Sequence, residues 1–129
     1  MQDSIFTKII KGEIPAHKIY EDEKTLAFLN IYPSVEGHTL VIPKVQVQYV
    51  WDLDEPDYEA LMNTTRLVAQ RLKEVLGVER VGAKVIGLDV PHAHVHLVPF
   101  NTPAEYHAPE TKDEPDHGAF AALAEKLKF

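Results

Sequence analysis

Cysteine is absent from the 129-residue chain, so neither a disulfide framework nor a thiolate metal site holds this protein together. Long apolar runs are missing too, and none approaches the roughly 20 residues that cross a bilayer. The chain opens Met1-Gln2-Asp3-Ser4, without the basic start and apolar stretch of a signal peptide. With the absence of cysteine, this makes a cytoplasmic protein the expectation and sets membrane partners aside. Positive charge is scarce: 13 Lys and Arg face 20 Asp and Glu, for a net charge of -7. A long nucleic-acid tract is therefore not the expected partner, because neutralising its phosphates needs clustered Lys and Arg. A small anion remains compatible, since one local pocket can be positive on an acidic protein.

What is present fits one domain, since a chain of this length buries a core without covalent staples. Ile5 to Lys11 reads as one or two helical turns, closed by Gly12 and Pro15. Lys18-Ile19-Tyr20 and Thr25-Leu26-Ala27-Phe28-Leu29 flank a polar turn and predict a β-hairpin. His38 to Pro43 predicts a third strand, Val81 to Ile86 a fourth and Ala93 to Pro99 a fifth. Capping signals in Asp52-Leu53-Asp54-Glu55-Pro56 precede an apolar repeat at helical spacing, from Tyr58 through Leu61, Val68 and Leu72 to Leu76. Gly77 ends that long helix. Residues 101–117 turn to Pro, Glu and Asp, which predicts a loop or lid, and Phe120, Leu123, Ala124 and Leu127 predict a short C-terminal helix. The fold class expected is α+β with a mostly antiparallel sheet. Its core spans about residues 4–100, and an acidic, proline-rich segment with a short helix fills 101–129.

The candidate chemistry lies in Pro91-His92-Ala93-His94-Val95-His96-Leu97-Val98. In a strand, alternate side chains share a face, so the three imidazoles would project together while Ala93, Val95 and Leu97 enter a core. One such histidine is ordinarily structural. Three neighbouring rings repel when protonated together, a cost that packing alone does not explain. One functional reading is a zinc site, completed by His38, Asp89 or His107; a straight strand opposes it by setting His92 and His96 about 13 Å apart. Another is direct catalysis, with the central imidazole attacking phosphorus while its neighbours contact the phosphate oxygens.

The run His92-Ala93-His94-Val95-His96-Leu97-Val98 resembles the His-φ-His-φ-His-φ-φ motif (φ apolar) of the histidine-triad, or HIT, nucleotide-binding family. Ser4 to Ala16, Phe28-Leu29-Asn30-Ile31-Tyr32-Pro33 and Gly37-His38-Thr39-Leu40-Val41-Ile42-Pro43-Lys44 resemble further blocks of its Hint branch, in the same order. The resemblance implies a HIT-like fold: a five-stranded antiparallel sheet, one long helix and short terminal helices, doubled in a homodimer. It implies a purine nucleotide-binding hydrolase or nucleotidyl transferase acting on the α-phosphate of nucleoside phosphoramidates or related esters, through a nucleotidyl-histidine and without a metal or other cofactor. His94 is then the nucleophile, His96 and His92 flank it, with His96 contacting phosphate and donating a proton, and His38 is an additional active-site histidine. Ile5, Phe6, Ile9, Ile14, Phe28 and Ile31 match positions that enclose the base. For Ile9 and Phe28 simple core packing is an equal alternative.

The chain departs from the family pattern in places. Asn30 stands where an Asp ordinarily contacts the ribose hydroxyls, so charge assistance is lost there. Leu88 and Asp89 replace a Gln-Ser pair on the phosphate side; Leu88 cannot hydrogen-bond, and an inward Asp89 would repel phosphate, or instead orient a histidine, or protonate a leaving amine if its pKa were raised. Ser4 and Thr7 occupy the places of a Cys-x-x-Cys zinc pair found in some bacterial relatives. His17, His107 and His117 are expected to be solvated. The alternative functions are a non-catalytic nucleotide-binding or sensor module, a dinucleoside polyphosphate hydrolase, and a His-ligated metal hydrolase.

Overall fold

A computed structural model describes residues 2–129. The chain runs through α1 (Ile5–Ile10), β1 (Lys18–Glu21), β2 (Thr25–Leu29), β3 (Thr39–Pro43), a 3-10 turn at Val50–Asp52, and α2 (Glu55–Leu76). β4 (Arg80–Lys84), β5 (Val95–Phe100), α3 (Pro103–Tyr106) and α4 (His117–Leu127) complete it. The five strands lie in the order β1-β2-β3-β5-β4, and every neighbouring pair is antiparallel.

Local chemistry accounts for the elements. Asp22 closes the β1–β2 turn as its Oδ1 accepts from the backbone N–H groups of Lys24 (2.9 Å) and Thr25 (2.8 Å) and from the Thr25 hydroxyl (2.9 Å). α2 begins after Asp54 with Glu55 and Asp57 in its first turn, where acidic groups meet the positive end of the helix dipole. It ends at Gly77, whose φ of 67° suits a residue without Cβ. Gly37 is required twice over: its φ is +88°, and a Cβ there would lie 2.6 Å from Leu76 Cδ1.

Both faces of the sheet are covered. Leu61, Val68 and Leu72 of α2, with Ala124 and Leu127 of α4, pack on Ile19, Ala27, Leu29, Val41, Val95 and Leu97. Phe6 and Ile9 of α1 pack on Leu26, Phe28, Leu40 and Ile42 across the opposite face. This two-sided burial explains why β2 and β3 are buried at every position rather than alternately. α4 is stitched to α2 where Arg71 Nε donates to the Leu127 carbonyl at 2.8 Å.

Some sequence expectations need correction. β5 starts at Val95, so His92 and His94 precede the strand and only His96 lies within it. β4 runs over Arg80–Lys84 rather than Val81–Ile86, and β3 starts at Thr39 rather than His38. The loop expected over residues 101–117 contains α3, held by a capping box in which Thr102 and Glu105 satisfy each other's backbone N–H groups. At the surface, His17 is half-buried and His117 is exposed as expected. Their rings stack, with His17 Nε2 2.9 Å from His117 Nδ1.

Candidate active site

β3 and β5 pair so that Leu40 lies opposite His96, and this register sets His96 on the face that α1 covers. Ala93, Val95 and Leu97 enter the opposite core as the alternation requires. The three triad histidines are buried, at 0%, 1% and 5% exposure for His92, His94 and His96. His38, just ahead of β3, is buried beside them.

Their hydrogen bonds assign the ring protons. The Pro43 carbonyl lies 2.8 Å from His92 Nε2 and can only accept, so Nε2 carries the proton. His92 Nδ1 then accepts from the Ser4 hydroxyl at 2.8 Å. Ser4 Oγ also accepts from the Thr7 backbone N–H, which caps α1, while the Thr7 hydroxyl donates to Gln46 Oε1. Ser4 and Thr7 thus hold a ring through hydroxyl hydrogen bonds, and their donor chemistry does not fit a thiolate zinc site.

His94 Nδ1 lies 2.7 Å from the His92 carbonyl and therefore carries its proton, which leaves the lone pair on Nε2. That nitrogen is buried and has no hydrogen-bond partner. At His38, Nδ1 accepts from the Ser34 N–H at 3.1 Å, so Nε2 is protonated and donates to His96 Nδ1 at 2.9 Å. His96 in turn must carry its proton on Nε2, the second buried ring nitrogen without a partner. The structure thus presents one free lone pair, on His94, and one free N–H, on His96.

Burial favours the neutral form of His38, His92 and His96. It pulls His38 down to about 4, helped by His96 and then Lys84. It also pulls His96 down to about 4, with His94 adding to the effect and Asp89 opposing it. His92 is lowered chiefly by burial, which the Pro43 carbonyl partly offsets.

A cavity of about 260 Å³ opens beside His96. Ile5, Phe6, Ile9, Ile14, Phe28, Asn30, Ile31 and Asp89 all line it, so the sequence expectations for substrate-side positions converge on one space. Ile9 and Phe28 also belong to the core cluster and serve as both wall and packing. Phe6 sets its ring edge-to-face on His94, with centroids 5.1 Å apart. Asp89 turns inward: its Oδ1 lies 3.4 Å from His94 Nε2, although the side chain is 64% exposed. Leu88 points away and is 90% exposed.

Not every candidate faces the cavity. His94 is not among the lining residues and meets the cavity through Asp89, His92 stands behind the site with both nitrogens engaged, and His38 reaches it only through His96. Sequence reasoning missed Ser34, which orients His38, Gln46, which holds the α1 cap, and Glu110, which lines the cavity 3.4 Å from Asn30 Nδ2. No local pattern announces Glu110, which lies 80 positions beyond Asn30 in an acidic stretch. Among the described residues, no group of three or more His, Asp or Glu is disposed to hold a metal ion.

The site defines a class of protein: an α+β domain that buries neutral imidazoles beside a largely apolar cavity. The HIT domain model matches residues 11–102, and the chain belongs to that family. The protein named hit from Bacillus subtilis is 31% identical, over 98% of this chain and 95% of its own length. Adenosine 5'-monophosphoramidase HNT1 from Saccharomyces cerevisiae is 36% identical, over 74% of this chain and 61% of its own. The crystal structure described as a hypothetical histidine triad nucleotide-binding protein from Sulfolobus tokodaii superimposes with a TM-score of 0.80 at 28% identity, over 95% of this chain and 87% of that one.

Proposed function

We propose that this protein is a nucleotide-binding hydrolase that cleaves nucleoside phosphoramidates or related esters at the α-phosphorus. The carrying observation is the His94 ring: Nδ1 is held by the His92 carbonyl, and the buried Nε2 lone pair has no partner. A neutral imidazole so oriented attacks phosphorus without a separate base. The adenosine monophosphoramidase activity in the name of the yeast relative supports a purine nucleotide as substrate. The aliphatic and aromatic walls, Ile5, Phe6, Ile9, Ile14, Phe28 and Ile31, suit a planar base.

In the first step the His94 Nε2–phosphorus bond forms and the bond from phosphorus to the leaving nitrogen breaks. His96 Nε2–H donates to a phosphoryl oxygen and stabilises its growing charge. Because His96 is neutral, it acts as a hydrogen-bond donor. The leaving amine instead takes its proton from solvent at the exposed mouth, where the Asp89 side chain stands. In the second step water attacks phosphorus, Asp89 takes the proton from that water, and His94 is released with a nucleoside monophosphate. His92 and His38 orient the two reacting rings.

The homodimer implied by the family resemblance forms part of the proposal. It is supported by β4, an edge strand that pairs only with β5 among the described residues, and by exposed Val85 and Ile86 just beyond it. A second reading, a nucleotide sensor without turnover, is favoured by one observation: Leu88 points into solvent and supplies no phosphate-side amide.

Turnover of an adenosine phosphoramidate by wild type, His94→Ala and Asp89→Asn, with and without a chelator, tests the assignment. The expected result is chelator-insensitive turnover, lost in His94→Ala by a factor of at least about 1,000 and reduced in Asp89→Asn by about 100. Turnover that survives His94→Ala sinks the nucleophile, and loss on chelation points to a metal hydrolase. Tight binding without turnover identifies the sensor.

A further inference from the structure

The polar groups of the cavity divide into two sets. Asp89 lies 3.4 Å from the reactive nitrogen of His94 and His96 packs edge-on against that ring, while Asn30 and Glu110 lie against each other. The first set serves the phosphate in the proposed reaction, and the second has no part in it. Asn30 is buried and its amide has one orientation: Oδ1 accepts from the Tyr32 N–H at 2.8 Å, which turns the NH2 group toward the cavity. His38 Nε2, itself a donor, stands 3.5 Å from that NH2 group and offers it no acceptor. The nearest acceptor is Glu110 Oε1 at 3.4 Å, a long contact between groups that both line the cavity. Glu110 is placed there by its neighbour, since the Thr111 N–H donates to the Pro33 carbonyl at 3.1 Å and moors the segment on the loop after β2.

An amide that presents donors beside a carboxylate that presents acceptors matches a vicinal diol. Each hydroxyl has one proton to give and lone pairs to fill, so two hydroxyls need two acceptors and at least one donor. The two oxygens of Glu110 supply the acceptors with charge assistance, and Asn30 supplies the donor. Resting on the nucleotide reading above, we infer that Glu110, with Asn30, forms the subsite for the ribose 2'- and 3'-hydroxyls and sets selectivity for ribonucleotides over deoxyribonucleotides. The negative charge of this subsite is carried by the segment between α3 and α4 rather than by the sheet. An Asp at position 30 would place a second carboxylate about as near Glu110 as the amide now stands, so the two positions form a matched pair.

Calorimetric titration with adenosine 5'-monophosphate and its 2'-deoxy and 3'-deoxy forms tests this. Wild type is expected to prefer the ribonucleotide by about tenfold or more. Glu110→Gln, at an exposed position, is expected to bind all three within about a factor of two. Asn30→Asp alone weakens ribonucleotide binding, whereas Asn30→Asp combined with Glu110→Gln restores the preference by returning one carboxylate to the pair. Glu110→Gln with undiminished selectivity, or a double variant without rescue, overturns the assignment. If wild type binds the three nucleotides equally, the diol subsite falls and the nucleotide reading stands. If it binds none of them, both fall.

Discussion

Ser4 joins three features that are far apart in sequence. Its hydroxyl caps α1, donates to His92 Nδ1, and its backbone N–H reaches Gln46 Oε1 at 2.8 Å. Ser4→Ala removes a helix cap and leaves a buried ring nitrogen unpaired, for an expected loss of about 2 kcal/mol in urea denaturation. Ser4→Thr keeps the hydroxyl and should recover most of it; equal losses in the two variants would show that the hydroxyl is not the cause. At this scale the sequence was informative about residue types and poor about their partners. His94 is legible as a central imidazole because alternation and family resemblance agree on it. The direction of its lone pair is not, since that depends on the His92 carbonyl. Ser34, which bonds the His38 ring, and Gln46, which bonds Ser4 and Thr7, are invisible for the same reason: such side-chain hydrogen bonds leave no periodic trace.

Strand pairing explains what was readable among the elements. α2 stood out because its apolar spacing runs for 22 residues between an acidic first turn and a glycine cap. β2 and β3 are readable as apolar runs because both of their faces are buried. β5 starts later than the alternation predicts because His92 and His94 keep the spacing of a strand without its pairing. His92 N–H donates instead to the nearby Val90 carbonyl, and the intervening Ala93 N–H donates to the distant Val47 carbonyl. β4 carries the prediction that belongs here. If its free edge joins two copies, sedimentation should give twice the 14.6 kDa chain mass. Ile86→Lys, at a residue 56% exposed, should shift the equilibrium toward the monomer. A monomeric wild type at micromolar concentration would remove the edge-pairing proposal.

Over the whole molecule, acid should act through the buried histidines. His38 and His96 fall from 6.5 to about 4 in the folded protein, so between those values the unfolded chain binds more protons. Stability is therefore full above about 6.5 and is lost as the pH falls through about 4. Urea denaturation at about pH 7 and about pH 4.5 should show a clear loss of stability at the lower value. His38→Gln, which removes one of the titrating rings, should flatten that dependence even though it lowers stability overall. An unchanged slope would locate acid sensitivity elsewhere.

The strand order carries a kinetic consequence. β5 follows β4 in the chain but lies between β3 and β4 in the sheet, so it joins the hairpin of β1 and β2, with β3, to the far edge. It also carries His96. Non-local pairing of this kind is slow, because a long loop must close before the contacts reward it. The last strand of the chain thus brings His96 into the middle of the sheet. Refolding followed in parallel by circular dichroism and by nucleotide binding should therefore show binding no earlier than sheet formation.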